Sequence, residues 1–224
     1  MKKYVLNILI FTLFVNSLFS QNLDSLNISR INDTILSKYL NEKRPIEIQL
    51  PRSYGASPDK KYPLIVVLDG DYMFNIVAGS VDYLSYWGDI PENLIVGINQ
   101  KETRFKDSSV LDNITHTPIT STASFYDFIV NEVIPYFSKN YRISNFRVIL
   151  GQERTANFAN FFLLKKNPVF QAVISISPKM SKNMNSYLSE NLSKTNSKIV
   201  YTLSSSKKAV SYTHLRAHET LGNL

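Results

Sequence analysis

The segment VILGQERTANFANFF, residues 148–162, constrains the fold of this chain more than any other. An apolar run from Phe146 to Leu150 reads as a buried strand, and Gly151 follows it directly. Beyond the turn Ala156, Phe158, Ala159 and Phe162 recur at helical spacing. A strand that turns sharply into a helix over small residues is the setting of a G-x-S-x-G nucleophile elbow. The five elbow positions here are Gly151, Gln152, Glu153, Arg154 and Thr155. Glu153 takes the apex, where a serine oxygen would attack a carbonyl. The frame of a catalytic turn is present without its usual nucleophile.

Periodicity around that segment predicts strands alternating with helices. Pro45 to Leu50 alternates, with Ile46, Ile48 and Leu50 on one face. Arg52 to Lys61 carries Gly55, Pro58 and Asp59 and reads as a loop. Leu64 to Leu68 is continuously apolar, the mark of a central parallel strand covered on both faces. Helical spacing over Tyr72–Tyr86, a strand at Leu94–Ile98 and a long polar loop from Asn99 to Ser124 follow. Phe125 to Phe137 predicts a helix with Phe125, Ile129, Val133 and Phe137 on one stripe, and Pro135 near its end is placed to bend it. Then come the elbow strand, a helix over Arg154–Lys166, a strand at Ala172–Ile176, a polar helix at Ser181–Lys194 and a strand at Ile199–Leu203. This alternation implies crossover units and a mostly parallel sheet.

The ends read differently from the middle. Residues 1–20 carry Lys2 and Lys3, a mostly apolar stretch from Tyr4 to Phe19 and small Ser20, the pattern of a signal peptide cut near Ser20. A secreted or periplasmic protein is expected, free of the membrane after cleavage. Residues 21–43 are polar, with weak helical spacing at Leu23, Leu26, Ile31 and Ile35, and read as a lead-in segment. Residues 44–209 form the expected single domain. Val210 to Thr220, VSYTHLRAHET, resembles a translation of the transposase adapter used in sequencing libraries, and LGNL continues in the same frame. Residues 210–224 are therefore read as a non-native tail on a truncated natural chain.

Composition removes several functions. There is no cysteine, so disulfides, a thiolate nucleophile and a zinc–thiolate site are excluded. The net charge of +7 comes from scattered basic residues without a stripe that interleaves aromatics. Such a surplus is a solvated face, and no nucleic-acid partner is expected.

RPIEIQLPRSYGASPDKKYPLIVVLDGDYMF (44–74) and PVFQAVISISP (168–178) complete the pattern begun by the elbow. Together they resemble the α/β-hydrolase esterases of the esterase D and enterochelin-esterase type. In that family a P-x-x-Y…KYP segment leads into a strand ending in LDG, and the strand after the elbow ends in S-x-S-P. The resemblance spans roughly residues 44–206. It implies a three-layer α/β-hydrolase fold with a mostly parallel central sheet, C-terminally truncated in this chain. It also implies an oxyanion hole built from the N–H of Arg154 and a second N–H at Gly70 or Asp71. Two positions depart from the family: Glu153 replaces the serine, and Thr155 stands where glycine is usual.

Glu153 has three readings. It is a carboxylate nucleophile, as aspartate is at this turn in dehalogenase and epoxide-hydrolase relatives; or a general base for water; or the mark of a lost site, its charge resting on the helix N-terminus and paired with Arg154. In the third reading the carboxylate repels a developing oxyanion, and a small ester or acyl ligand binds in the old cleft without turnover. A purely structural interaction domain, with an unknown protein partner, is the remaining alternative. No cofactor and no metal are expected. Arg104 and Asp107 in the long loop read as a surface ion pair, and Ser175 and Ser177 as core and turn residues. His116 precedes the elbow, whereas the triad order is nucleophile, acid, histidine. His214 and His218 belong to the tail. With Glu153 at the apex and no later acid and histidine, this chain is expected not to hydrolyse esters.

Overall fold

Apolar residues at every second position pair into strands, and where both faces are apolar the strand sits mid-sheet between two helical layers. The computed structural model describes residues 29–204 apart from 113, 116, 166, 181 and 195–199. The expected signal peptide and the tail both lie outside them. Seven strands form one sheet: β1 Arg30–Ser37, β2 Glu42–Gln49, β3 Tyr62–Val67, β4 Leu94–Ile98, β5 Ile143–Gln152, β6 Ala172–Ile176 and β7 Val200–Ser204. Their spatial order is β1-β2-β4-β3-β5-β6-β7. The β1–β2 and β2–β4 pairs are antiparallel and the remaining pairs parallel. The helices are α1 Gly70–Tyr86, α2 Arg104–Ser108, α3 Thr120–Phe128, α4 Ile134–Asn140, α5 Arg154–Asn160 and α6 Lys182–Lys194. This is the α/β-hydrolase fold, a mostly parallel sheet between helical layers.

The two layers follow from alternation within single strands. Leu64 and Val66 of β3 face a large core shared with Phe125, Phe128, Phe137, Phe158 and Phe162. Ile65 and Val67 face the opposite layer, where Met73, Phe74, Val77 and Ala78 of α1 cover them. Both sets are buried. Among the described residues, no helix is long and apolar enough to cross a membrane.

Several elements differ from the sequence reading, each for a physical reason. Ile31 and Ile35 lie not on a helix but on strand β1, an edge strand paired with β2. Residues four apart share a face in a strand as well as in a helix, so two apolar positions could not decide between them. Phe146 lies in β5 yet is 44% exposed, because it falls in the register shift between the Ile143 and Arg147 pairings with β3, and β6 joins β5 only from Val148. The Asn99–Ser124 stretch is not all loop: it contains α2 and the start of α3, anchored by buried Asp107, Ser108 and Thr122. The expected Phe125–Phe137 helix is continuous to Asn140, but its middle turn, Ile129–Val133, is a π-helix in which the Ile134 N–H reaches Ile129 O. Pro135 lacks the N–H that would serve Asn131 O, and the wider turn falls just ahead of it. The helix after the elbow ends earlier than Lys166, passing into a 3₁₀ turn over Phe161–Leu164.

Candidate active site

Strand β3 has β4 on one side and β5 on the other, so the strand order reverses at β3. Ligands of open α/β sheets bind at such a switch point, beyond the carboxyl ends of the strands. Two turns meet there: Leu68–Asp69–Gly70 after β3, and Gly151–Thr155 at the end of β5.

The elbow turn is strained. Glu153 sits at φ 53° and ψ −101°, a region that a side-chain-bearing residue enters only when its surroundings force it. Its N–H donates to Ile176 O at 2.8 Å, and its C=O receives the Asn157 N–H at 3.1 Å. Gly151 is required by contact: a Cβ there would lie 2.5 Å from the backbone C and O of Thr155. Gly70 is similarly confined, its virtual Cβ 2.7 Å from Gly97 C. Gly151 thus lies too close to the helix that follows it, and Gly70 too close to the neighbouring strand β4, for any other residue.

Thr155 is buried and fully used. Its hydroxyl accepts the Gln152 N–H at 2.9 Å and lies 2.7 Å from Asp69 Oδ2 and 3.0 Å from Gln152 O. Asp69 is the hub of the site. It adopts a left-handed conformation at φ 55° and is buried. Its carboxylate accepts Arg104 Nε at 2.8 Å and the Tyr72 hydroxyl at 3.0 Å, while its N–H donates to Gln100 Oε1 at 3.0 Å. Arg104 continues to Gln152 O at 2.9 Å. Burial, then the neighbouring Asp69 charge, pushes the Tyr72 phenol up to about 12. Burial acts to lower the Arg104 pKa, but its bond to Asp69 and that carboxylate's charge outweigh it and the net shift is upward.

A second, deeper ion pair supports this hub. Gln100 Nε2 donates to Asp107 Oδ2 at 3.2 Å, and Asp107 also accepts Arg44 Nη1 at 2.5 Å and Thr103 Oγ1 at 2.7 Å. Asp107 is 0% exposed and Arg44 2%. Arg104 and Asp107 are therefore not a surface pair with each other: each is bound to a different buried partner, because α2 turns Asp107 inward under Arg44.

The predicted elbow residues and Gly70 all gather at the switch point, with Asp71 beside them. The N–H groups of Gly70, Asp71 and Arg154 lie in the first turns of α1 and α5, where no intrahelical acceptor exists. Asp71 additionally accepts the Gln100 N–H on Oδ1 at 2.9 Å. One pairing differs from expectation. Glu153 contacts Lys179 at 3.5 Å, not Arg154, because Arg154 lies over the Phe105 ring at 5.3 Å. Ser175 is buried and Ser177 is a turn residue at φ 48°, as the sequence suggested. His116, His214 and His218 lie outside the described residues.

Sequence reasoning missed the roles of Asp69, Gln100, Tyr72, Lys179 and Arg44. For Arg44 a signal existed: it shares the inward face of β2 with Ile46 and Ile48, and a charge in phase with buried apolar residues requires a partner. Nothing local pointed from Arg44 to Asp107, sixty-three residues away.

A family model described as "Putative esterase" matches residues 37–217. The chain belongs to that family. Among solved structures, this esterase-family chain is similar to an uncharacterised protein from Capnocytophaga ochracea at 28% identity and TM-score 0.71, covering 78% of this chain and 48% of that one. It is similar to an IroE-like serine hydrolase from Shewanella oneidensis at 24% identity and TM-score 0.67, covering 78% and 60%. The fold is also shared with the enterobactin esterase of Shigella flexneri, at 20% identity and TM-score 0.54, covering 68% and 37%. The chain thus spans about half the length of the first two. No curated protein matches it.

Proposed function

We propose that this esterase-family chain has lost, or strongly reduced, serine-type acyl transfer, and that the cleft at its switch point binds a small ester or acyl ligand. The observation that carries this reading is Glu153, which stands at the elbow apex in the strained conformation of a nucleophile. Its side chain is 42% exposed and, among the described residues, its carboxylate is held by Lys179 alone, at 3.5 Å. Acyl transfer develops negative charge on an oxygen beside that apex, where N–H donors would stabilise it. A carboxylate in the same place raises the energy of that charge. Glutamate also carries its oxygens farther from the backbone than serine does, displacing any attacking atom from the position the turn prepares.

The alternative, hydrolysis with Glu153 as nucleophile or general base, is favoured by the exposure of its carboxylate and by the retained elbow strain. Both readings place the protein outside the cytoplasm through the leader at residues 1–20.

Hydrolysis of p-nitrophenyl acetate by the full-length protein and by its Glu153→Ala and Glu153→Ser variants separates the two readings. No turnover above background in the wild type is expected. Wild-type turnover abolished by Glu153→Ala would overturn the proposal. Turnover gained by Glu153→Ser would show that the rest of a hydrolytic apparatus is in place. Sequencing the N-terminus of the exported protein tests the leader, with a start near Gln21 expected.

A further inference from the structure

Helix α1 lies on the surface, yet its solvent face carries no charge. Its two charged residues both serve the protein itself: Asp71 Oδ1 accepts the Gln100 N–H, and Asp82 takes Arg52 on both oxygens. The outward face presents Tyr72, Ile76, Gly79, Ser80, Tyr83 and Trp87, all exposed, Ile76 and Tyr83 at 63% and Trp87 at 65%. A surface helix ordinarily places charged and polar side chains there. Ser80 adds little polarity, because its hydroxyl donates back to Ile76 O at 2.8 Å. The Trp87 ring is set at right angles to Tyr86, their centroids 5.3 Å apart, and so is partly ordered before any contact forms.

Gly79 stands at the middle of this stripe. Glycine inside a helix destabilises it relative to alanine, and none of the described residues requires it, since a Cβ there would meet no atom within 4 Å. A small residue at that point lets a second helix approach α1 closely. The stripe is also symmetric about the midpoint between Gly79 and Ser80. Reading outward from it, Gly79 corresponds to Ser80, Ile76 to Tyr83 and Tyr72 to Trp87. Two copies of α1 lying antiparallel set each residue against its counterpart, small on small at the crossing and large apolar on large apolar at both ends. A two-fold interface needs this self-complementarity, because every contact is made twice with the roles exchanged. A flat lipid surface has no use for it.

We infer that α1 is the contact face of a homodimer, packed antiparallel on α1 of a second copy. The partner's Trp87 then covers Tyr72, whose hydroxyl donates to Asp69 Oδ2 and accepts Arg104 Nη2. Each copy thereby completes one rim of the other's site. The assignment is independent of what Glu153 does. A contact about 24 Å long and roughly 10 Å wide is small for a specific interface, so a weak, concentration-dependent dimer is expected.

Sedimentation velocity of the full-length protein over micromolar to millimolar concentrations tests this, with circular dichroism establishing that each variant is folded. A monomer–dimer equilibrium is expected. Ile76→Lys and Tyr83→Glu, both at exposed positions, should each weaken it about ten-fold or more, and Gly79→Leu should do so by holding the helices apart. Ile76→Lys mixed with Tyr83→Glu should associate again, because the pairing sets each new charge opposite the other. A monomer at every concentration, a dimer indifferent to all three substitutions, or a mixture that associates no better than its components would overturn the inference. Cosedimentation of a monomer with phosphatidylcholine vesicles would overturn it too, and would assign the stripe to a lipid surface.

Discussion

The hydroxyl of Thr155 lies 2.7 Å from Oδ2 of Asp69, joining the turn after β3 to the first turn of α5 where the strand order reverses. Thr155 is therefore a tie between the two turns that build the site. Thr155→Val removes the donor while keeping the shape, and leaves Asp69 buried with one bond fewer. A hydrogen bond to a charged group is worth about 1.5–3 kcal/mol, so a loss of that order is expected in urea unfolding. A double-mutant cycle with Asp69→Asn should give a coupling of at least about 0.5 kcal/mol. Strictly additive single losses would show that the bond contributes nothing.

Glu153 should be replaceable at no cost to folding. A side chain held at φ 53° and ψ −101° costs on the order of 1–3 kcal/mol in backbone strain. Glycine removes that strain but adds unfolded-state freedom worth roughly 0.5–1 kcal/mol. Glu153→Gly should thus leave the melting temperature unchanged or raise it by a few degrees. A marked drop would mean that the exposed carboxylate contributes to stability beyond its contact with Lys179.

Arg44 and Asp107 form a buried pair, and breaking it from one side should be costly. Burial acts to lower the Arg44 pKa, but Asp107 and Glu42 outweigh it and hold the guanidinium charged. Arg44→Met leaves Asp107 without its cation and is expected to cost about 3–5 kcal/mol in chemical denaturation. Arg44→Met combined with Asp107→Leu removes both charges and should recover a large part of that loss. Equal destabilisation of the single and double variants would rule out charge burial as the cause.

The Glu92 carboxylate gives the fold an acid-sensitive contact at the opposite end of β3. It accepts the Ser53 N–H at 2.9 Å, the Ser53 hydroxyl and Lys60 Nζ. Burial raises its pKa, but Lys60 and Ser53 outweigh burial and the net direction is below the ordinary 4.5. A lowered carboxylate contributes stability that is fully present above its unfolded value and lost as pH falls through the folded one. Glu92→Gln should therefore be less stable than the wild type at pH 7, by up to about 1 kcal/mol. The two unfolding curves should converge as pH falls through and below the unfolded value. A difference that persists in acid would assign the effect to shape and not charge.

The central parallel strands and the elbow were legible along the chain because their signals are local. Five-residue apolar runs at Leu94–Ile98 and Ala172–Ile176 read as strands and are strands, with the same ends. Gly151 marked the sharp turn, and the contact between its position and Thr155 requires it. Edge strand β1 was not legible, since Ile31 and Ile35 fit two periods equally and only pairing with β2 selects one. Chain order determined the layers, the elbow and the acidic residue at its apex, because each depends on neighbours a few residues apart. Folding decided which charges meet. Asp69 with Arg104 and Thr155, Asp107 with Arg44, and Glu153 with Lys179 are joined across turns and strands, and for buried Asp69 and Asp107 burial makes the partners that the sheet brings within reach obligatory.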